Sequence, residues 1–199
     1  MVDQCGQTEG FGESGGPGTL GGFGVVMIGP TLIEHGTEEQ KAHHLARVLK
    51  GEVIWCQGYS EPGAGSDLAS LHTRAVRDGD DYVINGQKIW TTGAQFADWM
   101  YMLVRTDPDA PKHRGITYLL VDMKSPGVTV RQLTTLAKTQ SFHEVFFEDV
   151  RVPGATRVGD GKRGWDSGTT KPARGRAASG SGVGGRQARN HRARKDKAG

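Results

Sequence analysis

Two short segments carry the residue types from which a binding site could be built: Tyr59-Ser60-Glu61-Pro62-Gly63-Ala64-Gly65-Ser66-Asp67 and Asn85-Gly86-Gln87-Lys88-Ile89-Trp90-Thr91-Thr92-Gly93. Each joins an extended apolar run to hydroxyls, glycines and one large aromatic, a mixture that suits a flat, polar-edged ligand held against strand backbone. In the first segment the glycines let backbone N–H groups approach a ligand, and consecutive amides in such a turn can cradle an anion. Ser60 and Ser66 add hydroxyls that can donate to phosphate or carbonyl oxygens. In the second, side chains alternate along a strand, so Trp90 and Thr92 face one way and Thr91 the other. An indole and a hydroxyl on one face can pack on a heteroaromatic ring and reach a ring nitrogen. Taken singly, each segment also has a plain reading: a Pro/Gly surface loop, and a core tryptophan beside β-favouring threonines.

The elements that position these segments follow from the period of the apolar residues. Thr37 with Gln40 is a capping-box pattern, Glu38 and Glu39 suit a first helical turn, and Ala42, Leu45, Ala46, Val48 and Leu49 form a helical stripe that Gly51 can close. This predicts a helix over about 37–50. From Val53 the period becomes two, with a strand running towards Ser60 and another over Leu71–Arg77. Asp78-Gly79-Asp80 reads as a turn, and Tyr82-Val83-Ile84 as a strand. Asn85-Gly86 is a strong hairpin signal, with Gln87–Thr92 returning. Further strands are expected at about 99–105, 116–122, 128–133 and 143–148. Short strands separated by turn chemistry imply a mainly β fold, an antiparallel barrel or sandwich with one N-terminal flanking helix.

Composition divides the chain. Residues 1–29 and 159–199 each hold 10 of the 31 glycines, and such ends bury too little apolar surface to offset chain entropy, so both read as disordered. The predicted organisation is a Gly-rich leader over 1–29, a helical remnant over 30–52, a β-domain over 53–158 and a basic tail over 159–199. Residues 171–199 contain nine Lys or Arg against the single acid Asp196, so the net charge of +3 belongs to the tail. That tail could meet nucleic-acid phosphates, but it lacks interleaved aromatics and reads as a solvated segment. Cys5 and Cys56 lie in unlike segments and form no disulfide framework, and no membrane span or secretory signal is visible, so the expected location is cytoplasmic. The Gly16–Gly21 match to a dinucleotide fingerprint lacks its strand and helix. His35, His43 and His44 have no metal-site geometry, and no metal is expected. Glu61 and Asp67 read as loop hydrogen-bonders, and His143 as a strand-start residue that could also approach a ligand.

In combination the two segments resemble the flavin-binding middle domain of acyl-CoA dehydrogenases. In that family a Thr/Ser-Glu-Pro-x-Ala-Gly-Ser-Asp string is followed, after a strand, a Gly-Asp turn and another strand, by Asn-Gly-x-Lys-x-Trp-Ile-Thr-Asn. The likeness continues through Ala97-Asp98, Arg105-Thr106-Asp107, Gly115-Ile116, Ser125-Pro126-Gly127-Val128 and Val145–Pro153, over about residues 30–165. The resemblance implies an FAD site at Gln57, Tyr59, Ser60, Gly65, Ser66, Trp90, Thr91 and Thr92. Ser66 would also touch the acyl-CoA. Thr91 stands for a usual isoleucine and Gly93 for a usual asparagine. The implied reaction is oxidation of an acyl-CoA at its Cα–Cβ bond, with electron-transfer flavoprotein or a similar acceptor downstream. The family's catalytic carboxylate comes from a C-terminal helical domain. Beyond Trp165 no apolar period continues, which suggests a shifted frame or truncation, a chain with little turnover alone, or an accessory subunit in a homo- or hetero-oligomer.

Overall fold

The computed structural model describes residues 22–135, 141–159 and 164–169. The expectations for Cys5, the Gly16–Gly21 match and the basic tail from Lys171 onward lie outside these residues. The described residues begin in helix, so 22–29, part of the stretch expected to be disordered, is ordered: a π-helical turn at Gly24–Ile28 runs into α1 (Gly29–His35). The apolar run Phe23–Ile28 drives this, because Ile28 is fully buried beside Leu32. Helix α2 (Glu38–Leu49) follows, and its capping box is complete: Gln40 N–H donates to Thr37 Oγ1 at 3.3 Å, and Thr37 N–H to Gln40 Oε1 at 3.1 Å. Gly51, at φ 67°, closes it. The buried face differs from the predicted stripe. Gln40, His44 and Val48 point inward, whereas Ala42, Ala46 and Leu49 are exposed. Polar residues win this face because they have partners there: Gln40 Nε2 donates to the carbonyls of Ala155 and Arg157, and the His44 ring packs edge-on against Trp55 and Trp99.

The strands are β1 (Trp55–Gly58), β2 (Arg74–Asp78), β3 (Asp81–Thr92), β4 (Trp99–Arg105), β5 (Ile116–Asp122), β6 (Val128–Leu133), β7 (Phe142–Pro153) and β8 (Arg157–Val158). They hydrogen-bond in the order β6-β7-β3-β2-β4-β5-β8, with β1 added to β4. The fold is mainly β, as expected, but β6 and β8 end the order, so the sheet does not close into a barrel. It is also not purely antiparallel. β1 runs parallel to β4, with Gln57 opposite Tyr101, and β2 meets β4 in parallel at Arg74 and Arg105. After β8, α3 (Gly164–Thr169) forms a short helix where the sequence showed no apolar period. Gly164 and Gly168 allow it, since a Cβ at either would press on the Tyr118 backbone or on Leu103.

One predicted turn is absent. Asn85-Gly86 is not a hairpin, because β3 passes straight through it, and the β2–β3 turn is the Gly79 turn, with φ 62°. The Asn85 side chain is used sideways instead: its amide donates to Asp149 Oδ1 and its oxygen accepts from Asp149 N–H, both at 2.9 Å, bridging a bulge in β7. Gly86 is needed for close approach, since a Cβ there would sit 2.7 Å from Thr73 Cα.

Two cores flank β4 and β5. Met100, Met102, Val104, Leu119 and Val121 meet Ile84, Val145, Phe147 and Val150 from the β3–β7 half, which makes the sheet a sandwich folded over one apolar layer. Tyr101, Leu103, Ile116, Tyr118 and Leu120 point the other way, against Ile28, Leu32 and Val48 of the helices. This explains why β4 and β5 read as continuous apolar runs rather than alternating ones: both faces are covered. Each such side chain contributes ~1.5–3 kcal/mol on burial. The helices and the sandwich together make β1 and β4 a rigid base for the loop that follows β1.

Candidate functional site

That loop leaves β1 at Gly58, which lies so close to β4 that a Cβ would come within 2.9 Å of Met102 Cβ. Gln57 is half-buried on β1. Tyr59 packs edge-on against Tyr101, with ring centres 5.8 Å apart, and its hydroxyl donates to the Gly168 carbonyl at 2.9 Å. Burial pushes the Tyr59 phenol well above its ordinary range, so it stays protonated and acts as a donor. Glu61 to Ala64 then form a tight turn closed by two mutual backbone bonds of 3.0 Å. The amides of Glu61 and Ala64 are therefore spent inside the turn rather than on an anion. Ser60 is half-buried, while Gly65 and Ser66 are exposed. Asp67 pairs with Lys112 and accepts from Ser70 Oγ at 2.6 Å, and those bonds hold its carboxyl below the usual range.

The centre of the loop is a buried ion pair. Lys88 is fully buried on β3, and its Nζ donates to Glu61 Oε1 at 2.7 Å and to the Tyr59 carbonyl at 3.2 Å. Glu61 Oε2 accepts from His72 N–H at 2.6 Å, and Oε1 also accepts from Thr73 N–H at 3.0 Å. Burial pushes the Glu61 carboxyl up, but the Lys88 charge and these hydrogen bonds outweigh it, and the pKa lies below its ordinary value. Burial pulls the Lys88 ammonium down to about 8 against the opposing attraction of Glu61. Lys88 was not among the predicted site residues, yet a signal existed: it shares the strand phase of the buried Tyr82 and Ile84.

Beyond Lys88 the strand bulges. Lys88 faces Val145 and Thr91 faces His143, so Ile89 and Trp90 together oppose Glu144. Trp90 takes φ 60°, and its indole is 57% exposed, touching Phe142 edge-on at 5.9 Å. Thr92 is exposed and Thr91 buried. His143 does not face outward. It is buried beneath the bulge, with Nδ1 3.2 Å from the Thr91 carbonyl and Nε2 2.9 Å from Gln95 Oε1. The Thr91 hydroxyl is buried with no hydrogen-bond partner among the described residues. The two segments singled out in the sequence meet here: Ile89 N–H donates to the Ser60 carbonyl at 2.9 Å. Tyr59, Ser60, Trp90, Thr91 and Thr92 therefore share one junction. Gln57 stands on β1, one face of the base, and Gly65 and Ser66 lie farther out along the loop.

Glu61 and Asp67 are both engaged in structural pairs, and no group of three His, Cys, Asp or Glu able to hold a metal occurs among the described residues. His43 and His44 instead stack edge-on, with ring centres 4.6 Å apart. No helix among the described residues is long and apolar enough to cross a membrane.

Comparison with known proteins gives these features a family. Acyl-CoA dehydrogenase FadE34 of Mycobacterium tuberculosis is 49% identical over 154 residues, which is 77% of this chain and 22% of the relative. Among solved structures, the Tcur3481-Tcur3483 steroid ACAD matches with a TM-score of 0.74 at 44% identity, covering 76% of this chain and 39% of that one. The ChsE4-ChsE5 complex from Mycobacterium tuberculosis matches at 0.71 and 43% identity, over 81% of this chain and 41% of the other. A glutaryl-CoA dehydrogenase from Mycobacterium smegmatis in complex with FADH2 matches at 0.63 and 31% identity, over 72% of this chain and 36% of that one. The chain thus spans less than half the length of each of these proteins. The family model for the acyl-CoA dehydrogenase middle domain matches residues 56–150, from β1 through most of β7, and that stretch is a middle domain of the acyl-CoA dehydrogenase family.

Proposed function

We propose that this chain carries the flavin-binding β-domain of an FAD-dependent acyl-CoA dehydrogenase. The observation that carries the reading is the backbone bond of Ile89 to Ser60, which joins the loop residue Ser60 to the strand end that carries the exposed, bulge-mounted Trp90 and the exposed Thr92. These residues fit a flavin: an aromatic plane held in a fixed orientation, hydroxyl donors at its edge and a second polar arm at Gly65 and Ser66. In this reading Trp90 packs on the ring system, Thr92 donates to a ring nitrogen, and Gln57, Tyr59 and Thr91 shape the edge of the pocket. Ser66 serves both the cofactor's phosphates and the acyl-CoA. FAD, when bound, supplies the acceptor for a hydride from the substrate's β-carbon. The α-proton needs a carboxylate base, and Glu61 and Asp67 are committed to Lys88 and Lys112. The base therefore comes from another part of the complete enzyme, and the chain alone is expected to bind FAD but to turn over acyl-CoA poorly. Reduced enzyme would pass its electrons to electron-transfer flavoprotein or a similar acceptor.

A second reading makes the chain a subunit that works beside another dehydrogenase chain. Phe96 and Trp90, 67% and 57% exposed, leave apolar surface next to the junction, and the similar ChsE4-ChsE5 structure is that of a complex. Titration of the purified chain with FAD, read by quenching of flavin fluorescence, tests the first reading. Saturable binding supports it, and no binding with folded protein refutes it. Turnover assays with straight-chain and steroid-derived acyl-CoAs, with and without a co-expressed dehydrogenase chain, separate the two.

A further inference from the structure

We propose that Glu61 and Lys88 are positioning residues that lock the loop carrying Ser60 and Ser66 onto the strand carrying Trp90 and Thr92, so that the junction surface is preformed before any ligand arrives. This rests on the flavin reading of the same surface and adds to it the device that fixes its shape. The bonds converge on a few residues. Lys88 Nζ holds Glu61 at 2.7 Å and the Tyr59 carbonyl at 3.2 Å, while Glu61 holds the amides of His72 and Thr73. One residue beyond Lys88, Ile89 N–H holds the Ser60 carbonyl at 2.9 Å. Loop residues on both sides of Ser60 are thus tied to the last strand residue before the bulge. The bulge in turn sets the direction of Trp90, whose φ of 60° a free strand would not keep.

Stability alone does not account for such a pair. Taking two charges out of water costs about as much as their attraction returns, and an apolar pair of similar volume commonly serves a core as well or better. What the ion pair supplies is a unique register: an ammonium with two oxygen partners and a carboxylate with three donors fit in one arrangement, whereas methionine and leucine fit in many. The position is chosen accordingly. Lys88 and Glu61 sit where loop and strand cross, directly behind the predicted ligand residues rather than in either apolar core.

The test compares the full chain with Lys88→Met and with Lys88→Met/Glu61→Leu, using thermal unfolding, amide hydrogen exchange and FAD titration. The single variant strands a buried carboxylate and is expected to melt lowest, and the double variant is expected to recover most of that loss. In the double variant, exchange at Ile89 and across 59–66 is expected to quicken at least about tenfold, with Leu103 and Leu119 unchanged, and FAD affinity to fall at least about tenfold. A purely structural pair would instead recover loop exchange and FAD affinity along with stability, and that result overturns the proposal. Should the double variant not fold, Glu61→Gln replaces it: the variant keeps an oxygen for Lys88 and the Thr73 amide, removes the charge and turns an amide N–H toward the His72 N–H, so faster exchange at Ile89 and across 59–66 with Leu103 and Leu119 unchanged supports the lock and unchanged exchange overturns it. If the wild-type chain binds no FAD, the flavin reading fails by itself, and exchange at Ile89 alone then decides whether the lock exists.

Discussion

Replacing Gly86 by alanine tests the course of β3 through the Asn85-Gly86 pair. Gly86 has φ 148°, a conformation that side chains rarely adopt, and an added Cβ would lie 2.7 Å from both Thr73 Cα and Thr73 Oγ1. The strained backbone costs about 1–3 kcal/mol and the forced contact with backbone atoms another ~1–3 kcal/mol. Thr73 cannot yield cheaply, because its amide is held by Glu61 and its hydroxyl donates to the Gln87 carbonyl. The expected loss is therefore about 3–5 kcal/mol, a melting point lower by about 10–20 °C for a domain of this size. Gly79→Ala is the internal control: Gly79 also has positive φ, at 62°, but nothing lies within 4 Å of where its methyl group would stand. It should cost only ~1 kcal/mol. Urea unfolding followed by circular dichroism gives both numbers. If Gly86→Ala costs no more than Gly79→Ala, the close crossing of β2 and β3 at Thr73 is wrong, and Asn85-Gly86 behaves as an ordinary open turn.

His44 is 5% exposed, and burial lowers its pKa from 6.5 to about 4. The unfolded chain therefore binds a proton that the folded one refuses between those values, so stability should fall by up to about 3 kcal/mol as pH drops through that window. In His44→Phe that acid-side slope should be missing from denaturation curves taken across the same range. Tyr59→Phe leaves the Gly168 carbonyl without its hydroxyl donor and should cost ~1 kcal/mol, with faster hydrogen exchange in α3 as the local signature. An unchanged α3 would mean that the helix docks by Trp165 and its glycines alone. Trp90→Gly relieves a positive φ on a bulky residue and should leave thermal stability unchanged or raise it by up to ~1 kcal/mol, while FAD affinity falls at least about tenfold. Loss of stability with FAD affinity intact would reverse the assignment of Trp90.

Much of the fold was legible because local and long-range requirements agreed. Thr37 and Gln40 announce a helix start and make both capping bonds, and Trp99–Arg105, Ile116–Asp122 and Val128–Leu133 fall on the expected strands. The failures occur where a tertiary partner overrides a local preference. Asn85-Gly86 has the chemistry of a hairpin turn, but Asp149 and Thr73 use it from outside. The stripe on α2 looked apolar, but the surface that receives it offers carbonyls to Gln40 and aromatic edges to His44. The parallel pairing of β1 with β4 joins residues far apart in sequence and leaves no local mark.

The candidate site shows the same division more sharply. Glycines, serines and an isolated tryptophan are visible in a sequence because they depart from the surrounding pattern. The lock behind them is not, because a lysine on a strand ordinarily belongs to the solvent face, and only the phase shared with Tyr82 and Ile84 places Lys88 inside. The bulge that follows is equally hidden, since it arises from where β7 supplies its partners. Its consequence is a tryptophan that breaks two local rules at once. A bulky residue at φ 60° carries about 1–3 kcal/mol of backbone cost, and an indole left 57% exposed forgoes much of the burial that such a side chain normally gains. Neither cost is offset by the Trp90–Phe142 edge contact alone, worth roughly 0.5–1.5 kcal/mol. Residues that break local rules without local compensation concentrate where a surface is kept for something else to complete, and in the function proposed above that partner is the ring plane of a flavin.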